Sequence, residues 1–239
     1  MRVLTICAGF IVCMAIGGLG PSSARASADQ ETRPQAGPCA AAISVAERAR
    51  NIPVHLLQAI SLTESGRWSA DDDAFVAWPW TVMAEGRGRY LPSKEAAIAE
   101  VQALKAKGIT NIDVGCMQVN LYYHGSNFDD LNEAFDPVHN VAYATSFLMD
   151  LRHKRNSWTR AVKEYHSTNR ERQQLYQDRV MTMWDALKKG RPIAGKETGI
   201  AEVGLTYMSN AQWPPKNYHQ QKQLEAAIRG RVMSGSGQF

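Results

Sequence analysis

The chain lacks most of the features from which chemistry is read directly off residue order. His124, His139, His153, His166 and His219 are dispersed, with no metal-ligand spacing such as His-x-x-x-His, so no metal site is expected. No glycine-rich phosphate loop is present, and nothing marks an activated serine. Charge of one sign is scarce: the formal net charge is +4. That is far from the strongly basic face that nucleic acid calls for, and no nucleic-acid partner is expected. There is no internal repeat. Cysteine is sparse, at four residues in 239, and there is one long apolar run, at the N-terminus.

That run sets the first expectation. Met1-Arg2 is a short basic start, Val3 to Leu19 is almost wholly apolar or small, and Ala24-Arg25-Ala26 offers small residues at the two positions that a signal peptidase reads. The run is short for a membrane span. The pattern predicts a signal peptide over 1–26, export to the periplasm, and a mature chain stripped of Arg2 and Arg25. Cys7 and Cys13 leave with it. Cys39 and Cys116 remain, one pair in an oxidising compartment, and are expected to form a disulfide; two buried free thiols are the alternative.

What is present is an ordinary globular composition, 44 % hydrophobic, with enough apolar residues for a core. Residues 27–38 read as a polar, proline-containing leader. Periodicity predicts helices over 40–49, over 53–65 with Pro53 in the first turn, and over 93–107 with Ser93 as cap. Further helices are expected from Pro137, over 158–165 and over 170–188. Short strands are expected over 80–83 and 89–91, and an extended segment over 114–119. The fold class is therefore mainly α (α+β), a helical bundle with a small β insert. The folded domain is expected over 39–189. Residues 190–239 read as a tail of uncertain order, with short elements at 203–208 and 224–228.

Leu57, Ile60 and Glu64 recur at helical spacing, which sets Glu64 on an apolar face. A carboxyl group there loses solvation for its charged form, so its pKa rises and it can serve as a general acid. The same spacing also suits a solvated helix end.

Ile52-Pro53-x-x-Leu56-Leu57-x-Ala59-Ile60 followed by Glu64-Ser65-Gly66-Arg67 resembles the catalytic signature of the lytic transglycosylase (SLT) domain. Gly115-Cys116-Met117-Gln118-Val119-Asn120 resembles its second motif, usually Gly-Leu-Met-Gln. Tyr165-His166-Ser167 falls where a third motif begins, more often as Tyr-Asn-Ala-Gly. The three, in register over 39–183, imply a goose-type-lysozyme-like fold with the β insert lining a substrate cleft. The implied activity is cleavage of the β-1,4 bond between N-acetylmuramic acid and N-acetylglucosamine in peptidoglycan. Glu64 would act as acid and then as base, giving a 1,6-anhydromuramyl end without cofactor or water. Most glycosidases use two carboxyl groups. Asp71, Asp72, Asp73 and Glu85 are the candidate second acids for a hydrolase. By the same resemblance Ser65, Met117, Gln118, Asn120 and Tyr165 would contact the substrate, Tyr165 reaching the catalytic carboxyl or its neighbourhood. Trp78 and Trp80 could stack on sugars or form the core of the insert. The chain is expected to act as a monomer. Its tail, with Trp213-Pro214-Pro215, could dock a protein of a flagellar or secretion machine.

Overall fold

Among the described residues, most long helices start on a residue whose chemistry explains the boundary. In the computed structural model the described residues are 37–191 (except 168), 193 and 218–234. The expected signal peptide, the 203–208 element and Trp213 lie outside them. Helix α1 spans Pro38–Ala49, with proline in its first turn. Helix α2 spans Leu56–Ser65, three residues later than the sequence expectation. The delay has a physical cause. His55 is left-handed (φ 67°) and ends the turn at Pro53. Glu47 of α1 then supplies the missing cap: its carboxylate accepts from the amides of His55 (3.1 Å), Leu57 (2.7 Å) and Gln58 (3.1 Å). A carboxylate at a helix N-terminus satisfies orphan donors and complements the helix dipole.

After α2 the chain turns to strand. Strands β1 (Gly66–Ser69) and β2 (Ala74–Ala77) form an antiparallel hairpin, with Asp71, Asp72 and Asp73 exposed at its tip. This hairpin was not expected. Strands β3 (Thr81–Ala84) and β4 (Arg87–Tyr90) meet at Glu85-Gly86, both at positive φ, as a two-residue hairpin turn demands. Strands β5 (Ile112–Val114) and β6 (Val119–Asn120) complete a sheet of order β4-β3-β5-β6.

Helix α3 (Lys94–Ala106) is capped by Ser93, whose hydroxyl accepts from the Ala96 amide. The short helices α4 (Leu121–His124) and α5 (Leu131–Ala134) follow the sheet. Then come α6 (Pro137–Arg155), α7 (Trp158–His166) and α8 (Arg170–Lys188), each capped by the side chain before it, Asp136, Ser157 or Asn169.

The centre of the core is α6, buried from Asn140 to Leu148. It packs on α1 and α7, while α2 lies against α1, α8 and the β1–β2 hairpin. Leu56, Leu57, Ile60 and Leu62 are fully buried, each contributing about 2 kcal/mol relative to exposure. The mainly α fold with a small β insert is thus observed.

The disulfide joins Cys39 of α1 to Cys116 in the β5–β6 turn, Cα atoms 5.8 Å apart. It ties the helical body to the sheet. In the tail, α9 (Tyr218–Ser234) lies on α1 and α6 with Leu224 and Ile228 buried.

Candidate active site

Glu64 sits in the last turn of α2 and is 1 % exposed. The helix cannot run on past it, because Gly66 passes straight into β1 with extended backbone (φ −65°, ψ 134°). A Cβ on residue 66 would collide with the Leu62 carbonyl and the Phe75 ring. Ser65 pins the same turn from the other side. Its hydroxyl donates to the carbonyls of Ser61 (3.2 Å) and Cys116 (2.7 Å), and its own carbonyl accepts from the Trp78 amide (3.0 Å). The carboxyl is therefore fixed where helix and sheet meet.

The group that touches it is Tyr176 of α8, whose hydroxyl donates to Glu64 Oε1 at 2.6 Å. The Tyr176 ring is held in turn by His166, stacked at 4.5 Å and 18°. No described residue makes a hydrogen bond to Oε2 of Glu64. Burial pushes the Glu64 carboxyl well above the usual carboxylate range. The Tyr176 hydrogen bond opposes this, the charge of Asp113 adds to it, and that of Arg179 opposes it. A carboxyl group so placed holds its proton at a pH where exposed ones have lost theirs, the requirement for a general acid.

Asp113, on β5, is the second buried carboxyl of this region, 3 % exposed. Burial also raises it well above its ordinary value, against the pull of Asn120, whose amide nitrogen donates to it at 2.7 Å. The acids expected for a second role are placed differently. Asp71, Asp72, Asp73 and Glu85 are exposed at hairpin turns, and the carboxylate whose charge acts on Glu64 is Asp113.

The other residues expected at the site are all buried and engaged within the protein. Residues 115–118 form the tight turn joining β5 to β6, with Gly115 (φ 83°) and Gln118 (φ 48°) both left-handed. A Cβ at Gly115 would also strike the Asn140 amide. That amide is the hub of the turn: Oδ1 accepts from the Met117 amide (2.9 Å), and Nδ2 donates to the carbonyls of Val114 and Ala134 (3.0 Å each). Gln118 Nε2 donates to the carbonyls of Thr81 (3.2 Å) and Gly115 (3.0 Å), while its Oε1 is buried without a partner. Asn120 caps α4 and bonds Asn111 and Asp113. The Tyr165 hydroxyl donates to the Met117 carbonyl at 3.0 Å. It thus lies in the neighbourhood of Glu64 but supports the turn; the tyrosine that reaches the carboxyl is Tyr176. The structure brings Ser65, next to the acid, together with the 115–118 turn through its bond to the Cys116 carbonyl.

Trp78 and Trp80 pack edge to face at 5.3 Å, and the Trp78 indole donates to the Leu91 carbonyl. His166, of the third motif, is 4 % exposed and stacked on Tyr176. Among the described residues, one set of possible metal-ligand atoms gathers within 4.8 Å, on Glu133, His139 and Glu225. The ammonium of Lys222 already lies 3.2 Å from Glu133 and 3.1 Å from Glu225, so this cluster is an ionic clasp between α9 and the body.

No family profile, curated protein or solved structure matches the chain. The functional reading rests on the motifs and on the geometry around Glu64.

Sequence reasoning missed Tyr176, Asp113 and Glu47. Tyr176, Val180 and Met183 form a helical stripe visible in the sequence, which marks an inward face but not what it faces.

Proposed function

We propose that this protein is a peptidoglycan lytic transglycosylase, exported to the periplasm, with Glu64 as its acid and base. One observation carries the reading: a carboxyl group that burial raises well above its usual range, with one oxygen held by Tyr176 and the other without a hydrogen-bond partner among the described residues. In this reading protonated Glu64 gives its proton to the glycosidic oxygen as the C1–O bond of the muramyl residue breaks. The carboxylate left behind then takes the proton of the muramyl C6 hydroxyl, and O6 bonds to C1. The Tyr176 hydroxyl stabilises that transient carboxylate. Because Glu64 is 1 % exposed, the glycan must displace what covers it, and α8, which carries Tyr176, is the element directly over the carboxyl.

Asp113 favours a second reading. A second buried carboxyl whose charge acts on Glu64 supplies the second acid that a hydrolase uses. Product mass separates the two. A transglycosylase releases muropeptides one water lighter than those of a muramidase, and reducing ends alone would overturn the first reading. Glu64→Gln keeps the shape and removes the proton. Turnover should fall by at least about a hundredfold, within the range of general acid catalysis, while sacculus binding persists. Unchanged turnover would remove Glu64 from the mechanism, and a parent that binds sacculi without cleaving them would favour a peptidoglycan-binding or assembly module.

A further inference from the structure

The strand that follows Glu64 carries a cation with no counter-charge among the described residues. Arg67 of β1 lies two residues past Ser65, and its guanidinium sits 3.5 Å from the centroid of the Trp78 ring. Its Nε is buried and has no hydrogen-bond partner. Among the described residues no carboxylate lies within ion-pair distance of it. The Trp78 ring is locked in place by its bond to the Leu91 carbonyl and by Trp80. The hydroxyl of Tyr90, which feels the Arg67 charge, is anchored to the Gly66 carbonyl at 2.7 Å. A planar guanidinium laid on an indole has lost its rotational freedom, and its N–H fork is pre-oriented. Partial burial without an anion costs stability, and the geometry recovers that cost only when a ligand supplies the charge.

We propose that Arg67, stacked on Trp78 and carried by the strand that follows Glu64, is a carboxylate-binding subsite. That its carboxylate belongs to a glycan strand rests on the function proposed above. Two sources fit there: the lactyl carboxylate of a muramic acid whose peptide has been removed, and a carboxylate of the stem peptide. A bidentate Arg–carboxylate pair is planar and directional, so the subsite selects for position as well as charge.

The test uses the full chain carrying Glu64→Gln, so that ligands are bound and not consumed. Four ligands are titrated by calorimetry: a peptide-free GlcNAc–MurNAc tetrasaccharide, its methyl ester, the same glycan with stem peptides, and chitotetraose. The Trp78 indole N–H resonance is followed in parallel, with sodium acetate against matched sodium chloride as an anion probe. At least one carboxylate-bearing glycan should bind about tenfold tighter than the neutral ones, a modest value for a charge-assisted pair. Preference for the peptide-free acid over its ester assigns the lactyl group; preference for the peptide-bearing glycan alone assigns the stem peptide. Acetate should move the indole resonance. Adding Arg67→Gln should abolish both effects and leave chitotetraose affinity unchanged, which shows that the fold survives. Equal affinity for acid and neutral ligands, or a preference that persists in Arg67→Gln, overturns the subsite. If acetate moves the indole only when Arg67 is present but no glycan binds, the anion site stands and the peptidoglycan reading fails.

Discussion

Tyr176→Phe isolates the interaction on which the Glu64 chemistry depends. The substitution removes one hydroxyl and leaves the ring stacked between His166 at 4.5 Å and Tyr165 at 6.5 Å. The lost hydrogen bond is short, 2.6 Å, and buried. Such a bond contributes roughly 1.5–3 kcal/mol to an ionised carboxylate and about 1 kcal/mol to a protonated one. The difference, about 1–2 kcal/mol, corresponds to about one pKa unit. Because Tyr176 stabilises the charged form, its removal drives the Glu64 pKa further upward. The basic limb of kcat/KM against pH, where Glu64 loses the proton it must donate, should move up by about one unit. The Glu64 Cδ resonance, followed by 13C NMR through the same pH series, should titrate later by the same amount. Stability follows with the same sign: the gap between the parent protein and the variant should widen as pH rises, since the donor matters most when the carboxylate is charged. A Glu64 titration that is unmoved, or that moves down, would refute the assignment of Tyr176 as the donor that stabilises the carboxylate.

Other substitutions test other parts of the structure. Glu64→Gln should be more stable than the parent at pH 7, because a group whose folded pKa is raised loses stability as pH climbs from its unfolded value of about 4.3 through its folded one. Urea denaturation should show the two proteins converging near pH 4, and a parent that is the more stable at pH 7 would contradict the burial argument. Asn140→Ala removes three hydrogen bonds, one to the 115–118 turn at Met117 and one each to Val114 and Ala134, and should cost about 3 kcal/mol, read from the shift in denaturation midpoint. Replacing Cys39 and Cys116 together by Ser opens a crosslink between residues 77 apart. The chain-entropy model puts the loss at about 4 kcal/mol, and the reduced parent should fall to the level of the variant. Gly66→Ala, with a methyl forced into the Leu62 carbonyl and the Phe75 ring, should unfold at lower temperature and lose activity together, which a thermal melt and a turnover assay would show.

Much of the fold was legible because it is local. Ser93 caps α3 as its position implies, and the strands expected over 80–83 and 89–91 fall within the β3–β4 hairpin region. The limits of that reading are also physical. The start of α2 depends on Glu47, eight to eleven residues upstream on another helix. The sequence placed the helix start at Pro53, because nothing local shows a cap that arrives through space. The β1–β2 hairpin was missed because the residues at its tip are three aspartates, which read as a loop. Tyr165 was assigned to the acid and Tyr176 was not, since both lie on inward helical faces and only packing decides which hydroxyl reaches Glu64.

By itself the sequence determined most of the long helices, the Ser93 cap of α3 and the apolar face on which Glu64 lies, because these follow from steric and hydrogen-bonding preferences within a few residues. The expected cysteine pairing is also present as a disulfide. Only the tertiary structure decided the state of the carboxyl group. Desolvation by packed elements raises its pKa, a hydroxyl 112 residues away opposes that rise, and the charge of Asp113 on a neighbouring strand adds to it. Electrostatic energies in a protein interior depend on what surrounds a charge in space, and chain order does not carry that information.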